Sequence, residues 1–558
     1  MSEQSRRILA RLELPLILLI AWAAMMLVRP YGDFPLFDDE NHAIGTWNFV
    51  HTGHFIFTKS TSPPLRSQVV WGAIWTRFFG ESFDVLRAST MVLAALTLII
   101  VNRMLAEAGV VPGLRILATL AFFFNPAFFW NAHTYMTEVP FVFASAMAMY
   151  GFLRGLREEK VGWMIAGCVF VAISWWIRQG ALNALPPIAL VLIYRQRLTP
   201  RWRTFILPPI VTALAFAGLW LLKREWMIAS EGEFHYHWKM WTEESFRLPQ
   251  MVSLVVSYVM QNIHNTTILF LPLSIGTLFA LPHLRAKWQR VVVIFCALAF
   301  ALGATWIAAH HTAWPWYPAN RALEISPGNL IGNVTLGPPT MNDVSTGVHE
   351  YPFGVSFGAR VTAMYATALL AGITLAVVAI AVARAAPQPR QNLIILLPLM
   401  HTVICTASLP VAWQVFDRYA LDTAWSAGLA LPLMIPWREV RARIACTIAL
   451  VAIAVFSVLA TQEYFAWNRA RWAAYWELRN HGVPLKQIDG GAEPLLYYEV
   501  AVAGTDAERR KLAFGAGKRP YVLAFSPMKG FRVIARHPWS AWLGTRRSAV
   551  VTLQRVDG

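Results

Sequence analysis

The stretch LPLILLIAWAAMMLV, residues 14–28, carries no charge, and its one polar side-chain group is the indole N–H of Trp22. Coiled as a helix, it approaches the roughly 20 residues that cross the hydrocarbon of a bilayer. Runs of the same kind recur along the chain, among them residues 291–309 and 444–460. In lipid every backbone N–H and C=O needs a partner within the segment, so repeated runs of this length mean a helical bundle. Composition agrees. Of 558 residues, 56% are hydrophobic and only 14% are charged, whereas a soluble chain carries about a quarter charged residues.

Lys and Arg outnumber Asp and Glu by 48 to 31, a formal charge of +17. A surplus of that size can mark a nucleic-acid partner, but its distribution argues against one. Most of the excess sits in short connectors between apolar runs, where it sets membrane orientation. Cys168, Cys296, Cys405 and Cys446 all fall inside apolar runs and read as small buried hydrophobes, with no paired spacing for a metal. Arg6, Arg7 and Arg11 precede the first run as in a signal peptide. Arg-Pro-Tyr-Gly at 29–32 offers no small-residue cleavage site, so an uncleaved first span is expected.

With the Arg6/Arg7/Arg11 end placed in the cytoplasm, the basic connectors alternate consistently. Arg103/Arg115, Arg154/Arg157/Lys160, Arg195/Arg197/Arg201/Arg203, Arg285/Lys287/Arg290, Arg384/Arg390 and Arg438/Arg441/Arg443 all fall on one side. About thirteen spans result, at residues 11–29, 85–103, 115–131, 139–154, 161–177, 181–195, 204–222, 266–282, 291–309, 359–383, 392–411, 419–436 and 444–460. The expected fold is an all-α polytopic membrane bundle over residues 1–460, with a small α/β domain outside the membrane over residues 461–558. The outer side receives loops 30–84, 223–265 and 310–358 and the tail, and the expected location is a bacterial inner membrane. Interfacial aromatics such as Trp314, Trp316 and Tyr317 border these loops. Within the first outer loop, residues 38–50 and 68–79 are patterned as helices lying in the headgroup plane, with Ser60-Thr-Ser-Pro-Pro64 extended between them. In the tail a helix over 463–480 is followed by strands at 521–525, 531–535 and 549–554. The turn at 527–530 is expected to join the first two as a hairpin.

Three polar clusters lie at outer span ends: Asp38-Asp39-Glu40, Thr137-Glu138-Val139-Pro140 and Phe416-Asp417-Arg418-Tyr419. Each has a plain reading. Asp38 could cap a helix with Asp39 and Glu40 in its first turn, Glu138 could do the same ahead of Pro140, and Asp417–Arg418 could be an interfacial ion pair worth little. Their convergence at the mouth of one bundle favours function, because ionisable groups there are costly to bury.

In order and placement, these elements together with Pro63-Pro64-Leu65 resemble the GT-C glycosyltransferases, and in particular the protein O-mannosyltransferases and the aminoarabinose transferases of lipid A. The resemblance covers the whole membrane portion, though each motif is short. It implies a sugar carried on a polyprenyl phosphate and passed to a lipid, glycan or protein acceptor on the outer face, among membrane lipids. By the resemblance Asp38 or Asp39 is the candidate base, with a slight preference for Asp39; a positioned carboxylate of that kind contributes about 10²–10⁴-fold. Glu138 would face positive charge developing on the sugar ring. Arg418 and Arg178, with Lys59 and Arg66 behind them, are candidates for the leaving phosphate, since guanidinium groups donate to it in a planar fork. Glu40 and Tyr419 complete the expected substrate contacts. One departure bears on the phosphate: relatives often carry a basic residue immediately before Pro-Pro-Leu, and here that residue is Ser62. Some members hold a divalent cation, which could bridge phosphate oxygens. His42, His133, His235/His237 and His310/His311 are available, yet no complete ligand set is readable and no metal ligand is assigned. The competing class is a multi-pass lipid or polysaccharide transporter, which calls for charges in mid-span and paired half-repeats. Here the spans are nearly clean and the acidic groups sit at outer ends.

Overall fold

The computed structural model describes residues 3–36, 38–57, 61, 64–188, 190, 259–260, 262–309, 357–385, 393–408, 421, 425–491, 494, 519–540, 542 and 549–556. The helices used below are α1 (Glu3–Leu27), α2 (Asp39–Thr52), α3 (Arg66–Phe79), α4 (Phe83–Glu107), α5 (Pro112–Phe123), α6 (Pro126–Asn131), α7 (Glu138–Glu158), α8 (Val161–Trp175), α9 (Leu271–Leu278), α10 (Lys287–Ala309), α11 (Phe357–Ala385), α12 (Leu393–Ser408) and α13 (Val440–Asn480). Among the described residues, five helices are long and apolar enough to cross a membrane, or six if one bent pair counts as a span. Four shorter apolar helices accompany them, at Leu12–Leu27, Pro112–Phe123, Val161–Trp175 and Leu396–Cys405. The expected span at 204–222, residues 189 and 191–195 of that at 181–195, and most of loops 310–358 and 223–265 lie outside the described residues.

Several expected spans are broken, each beside proline. The run read as one span over 115–131 is two helices. Asn125 caps the second by accepting from the N–H groups of Ala127 and Phe128 at 3.0 and 3.3 Å, and Pro126 opens it. The run at 266–282 bends by 95° between Asn262–Leu269 and Leu271–His283, with Pro272 in the first turn after the break. The described part of 419–436 holds helical Leu421, a short helix, Ala427–Ala430, and a 3₁₀ turn, Leu431–Met434, that contains Pro432. Proline lacks the N–H that would continue each helix across the break. Hydropathy cannot see these breaks, because proline interrupts the backbone without interrupting the apolar surface.

Four of the six basic connectors, at 103–115, 154–160, 285–290 and 438–443, meet at one end of the bundle. There Glu13 of α1 accepts from Arg115 and, at 2.6 Å, from Asn102. Arg157 donates to the Glu107 carbonyl at 3.3 Å, the Trp437 ring lies against Gly113, and His283 meets Glu439 at 2.7 Å. The first turns of α4 and α7, and with them the expected site, stand at the other end.

The first loop contains the two expected short helices, α2 and α3. The face of α3 that carries Val70, Ile74, Phe78 and Phe79 is exposed, Phe78 to 77%, as suits a helix lying along an apolar phase. In the tail, the last apolar run and the helix after it are continuous: α13 passes through residues 460 and 461 without a break. Beyond it β1 (Ile488–Asp489), β2 (Tyr521–Ala524), β3 (Phe531–Pro538) and β4 (Ala549–Arg555) form one sheet in the order β1-β2-β4-β3. The expected β2–β3 hairpin is therefore corrected: β4 lies between the two and pairs antiparallel with both. The reason is burial. Val550, Val551, Thr552 and Leu553 of β4 are all buried, whereas alternate residues of β3 are exposed, so β4 takes the interior position and β3 the edge.

Candidate functional site

Chain order brings four segments together at the end of the bundle where α4 and α7 begin. The first is the turn into α2. Asp38 precedes the helix, half-buried, and its side chain makes no capping bond, so the plain capping reading does not describe it. Asp39 and Glu40 follow in the first turn, 1% and 0% exposed. Asp39 accepts the N–H of Tyr135 at 2.9 Å and that of Leu36 at 3.4 Å, and Asn41 donates to Glu40 at 3.0 Å.

The second segment is the turn between α6 and α7, which centres on Tyr135. Its carbonyl accepts from Gln68 Nε2 at 2.7 Å and from His42 Nδ1 at 3.1 Å, which makes Nδ1 the protonated nitrogen of His42. Its hydroxyl donates to the Gln68 carbonyl at 2.9 Å and lies 3.0 Å from Thr46 Oγ1. Gly72 faces this hydroxyl, and any Cβ there would overlap it. Burial holds the Tyr135 phenol well above its usual range, so it stays neutral. His133, buried with Nδ1 2.7 Å from the Phe129 carbonyl, is pushed down by burial to about 4.

The third and fourth segments meet each other. Backbone N–H groups of Leu65 and Ser67 donate to the carbonyls of Ile177 and Trp176, at 3.4 and 3.3 Å. This lays the start of α3 along the chain that leaves α8. Arg66 is buried, with its guanidinium 4.7 Å from the Trp176 ring and 5.8 Å from the Phe57 ring. Arg178, half-buried, reaches Glu138 Oε1 at 3.1 Å. Glu138, 1% exposed, opens α7, and Thr137 before it makes no capping bond.

Beside Arg66 opens an apolar cavity of about 450 Å³ between α3, α7 and α8. Trp71, Phe143, Phe170 and Trp176 line it, with Arg66 and Gln68 among its few polar groups. Val70 and Ile74 also line it, and both are exposed on the lipid-like face of α3.

The structure thus gathers Asp38, Asp39, Glu40, Arg66, Glu138 and Arg178 at one end of the bundle. Lys59, Arg418 and Tyr419 lie outside the described residues, as do His235/His237 and His310/His311. Among the described residues no three His, Cys, Asp or Glu side chains group as a metal site. Tyr135, Gln68 and Trp176 were not singled out by sequence. Gln68 and Tyr135 bond through their side chains to each other's backbone carbonyls, and the Trp176 ring enters through its contact with Arg66.

The burial of Asp39 has an electrostatic consequence. Desolvation raises its carboxyl from 3.8 to about 8, against the opposing pull of Arg87 and of the N–H groups of Tyr135 and Leu36. A carboxyl that titrates near neutrality can take up or release a proton under ordinary conditions.

No family model and no curated protein matches the chain. Among solved structures it is similar to ArnT from Cupriavidus metallidurans bound to undecaprenyl phosphate. The likeness has 13% identity over 96% of this chain and 97% of that one, with a TM-score of 0.40. ArnT from the same organism in the apo state gives 12% identity, the same coverage and a TM-score of 0.38.

Proposed function

We propose that this chain is an integral-membrane glycosyltransferase that moves a sugar from a polyprenyl-phosphate donor to an acceptor on the extracytoplasmic face. The observation that carries the reading is the meeting of an apolar cavity, a buried guanidinium and buried carboxylates in one place. The prenyl chain would lie in the cavity against Trp71, Phe143 and Phe170. Its phosphate would then stand beside Arg66 and Arg178, where planar, charge-assisted donation suits a phosphate. Arg418 and Lys59 are further candidates for the same group.

In the transfer step an acceptor hydroxyl oxygen bonds to the anomeric carbon. The bond from that carbon to the phosphate oxygen breaks, and its electron pair leaves with polyprenyl phosphate. The hydroxyl proton passes to a carboxylate, for which Asp39 is the first choice and Asp38 the second. Glu138 faces the positive charge that develops on the ring, and Glu40 and Tyr419 contact substrate. A divalent cation, for which no ligand set stands among the described residues, would supply further positive charge for the leaving phosphate. The amino terminus lies in the cytoplasm and residues 461–558 lie outside.

Reconstitution with a panel of polyprenyl-phosphate sugars tests this, with sugar release or transfer as readout. Activity with at least one donor is expected. It should fall on substitution Asp39→Asn, Asp38→Asn or Glu138→Gln; full activity in all three variants would remove the assigned site.

A further inference from the structure

Arg87 stands in the second turn of α4, 1% exposed, and touches none of the groups assigned to substrate. Its Nη1 donates to the carbonyls of Pro30 and Gly32 at 3.0 and 3.2 Å and to Asp84 Oδ1 at 2.6 Å. Its Nη2 donates to the Phe34 carbonyl at 3.1 Å. Asp84 in turn accepts the Gly32 N–H at 3.0 Å, and Asp33 accepts the Phe83 N–H at 2.8 Å. Residues 30–34 are therefore tied to the start of α4 by both carbonyl and N–H groups. Two aromatic faces seal the guanidinium: Phe34 at 5.8 Å and Phe465 of α13 at 5.0 Å. Such a charge at the end of a span is costly unless it is used.

We propose that Arg87 is a positioning residue for the acidic pair, holding residues 30–34 by their carbonyls so that the turn carrying Asp38 and Asp39 has one place to stand. Phe465 extends that role to the tail, because α13 closes the side of Arg87 that water would otherwise reach. The inference rests on the functional reading above for the importance of the pair, not for the geometry. Arg87 is also the largest favourable influence on the ionised form of Asp39. Among the described residues, the other charged or titratable groups that act on Asp39 or Arg87 are Asp38 beside Asp39, Tyr135 from the α6–α7 turn, Asp33 and Asp84 across the loop, His133, and Arg469 from α13.

The test uses the full chain in lipid nanodiscs. The carboxyl stretch of Asp39 is titrated by infrared difference spectroscopy and assigned by its loss in Asp39→Asn. Amide exchange over residues 31–36 is followed in parallel. Arg87→Met should move the Asp39 midpoint upward by at least about one pH unit, a tenfold change in proton affinity, and speed loop exchange. Arg87→Lys keeps the charge but not the fork, so most of the midpoint should return while exchange stays fast. If Arg87→Met fails to fold, Phe465→Ala decides, with a smaller upward shift expected as water reaches the guanidinium. An unmoved midpoint with unmoved exchange in the folded variants would overturn the proposal. No sugar transfer is needed, so this outcome is separate from failure of the proposed activity.

Discussion

Asp39 accepts the backbone N–H of Tyr135 at 2.9 Å across 96 positions of sequence. With the His42 and Thr46 bonds to the same residue, this bond joins the turn into α2 to the turn from which Glu138 opens α7. Its acceptor is a buried carboxyl raised to about 8, and the sign of the resulting pH dependence follows directly. Between 3.8 and about 8 the folded protein holds a proton that the unfolded chain has released. The contribution to stability is full below the lower value and is lost as pH rises through the upper one. For catalysis the direction reverses, because the basic form appears only as pH rises. Transfer should climb with pH to a plateau, with its midpoint near pH 8. A pH–rate profile flat from about pH 6 to 9 would remove Asp39 as the base. Asp39→Asn should cost about 10²–10⁴-fold in rate.

Gly72 of α3 faces the Tyr135 hydroxyl so closely that no side chain fits between them. Gly72→Val should push the hydroxyl off both Thr46 and the Gln68 carbonyl. Overpacking of this kind costs about 1–3 kcal/mol. Tyr135→Phe, which removes the hydroxyl without crowding, should cost about 1–3 kcal/mol through the buried partners it strands. Thermal unfolding in detergent reads both, and two unchanged midpoints would mean that the network does not hold the turns.

Arg178 and Glu138 differ in what their loss leaves behind. Arg178→Gln removes the cation from a carboxylate that is 1% exposed, and breaking a buried pair in this way costs about 3–5 kcal/mol. Arg178→Lys keeps the charge but loses the fork, so donor KM should rise more than stability falls. Equal KM for Lys and Arg variants would argue that Arg178 binds Glu138 alone.

Ala144 lines the apolar cavity with little side chain of its own. Ala144→Phe should fill part of the 450 Å³ and raise KM for long-chain donors more than for short-chain ones. A uniform change across chain lengths would place the prenyl chain elsewhere.

Sidedness can be read with single cysteines in a background lacking the four native ones. Lys160→Cys, at the end that gathers the basic connectors, should label only from the cytoplasm. Lys529→Cys, in the turn between β2 and β3, should label only from outside. The reverse pattern would invert the topology.

How far the sequence could be read depended on which atoms do the work. The acidic triplet and the Thr-Glu-Val-Pro segment were visible because polar side chains at the start of apolar helices break a pattern. Tyr135 and Gln68 were not, since the side chain of each bonds to the other's backbone carbonyl, a group that every residue carries, 67 positions away. Arg87 did leave a signal, a lone cation inside the first turns of an apolar run, though it was passed over as part of a nearly clean span. The spans failed where Pro126 and Pro272 break helices that hydropathy runs through. The hairpin failed because β4, more than ten residues after β3, competes for the same edge. Local turn chemistry cannot register a strand that arrives later.

The 41 residues of α13 span about 62 Å at 1.5 Å per residue, roughly twice the thickness of bilayer hydrocarbon. Without a break, the helix works as a ruler, fixing the height of the sheet above the membrane and its azimuth about the helix axis. Adding one residue near 460 would turn everything beyond it by about 100°, carrying Phe465 away from Arg87 and Tyr464 away from Trp130. Adding seven, close to two turns, would restore the azimuth but lift the sheet by about 10 Å. Insertions of these two lengths separate dependence on direction from dependence on distance between the tail and the mouth of the bundle.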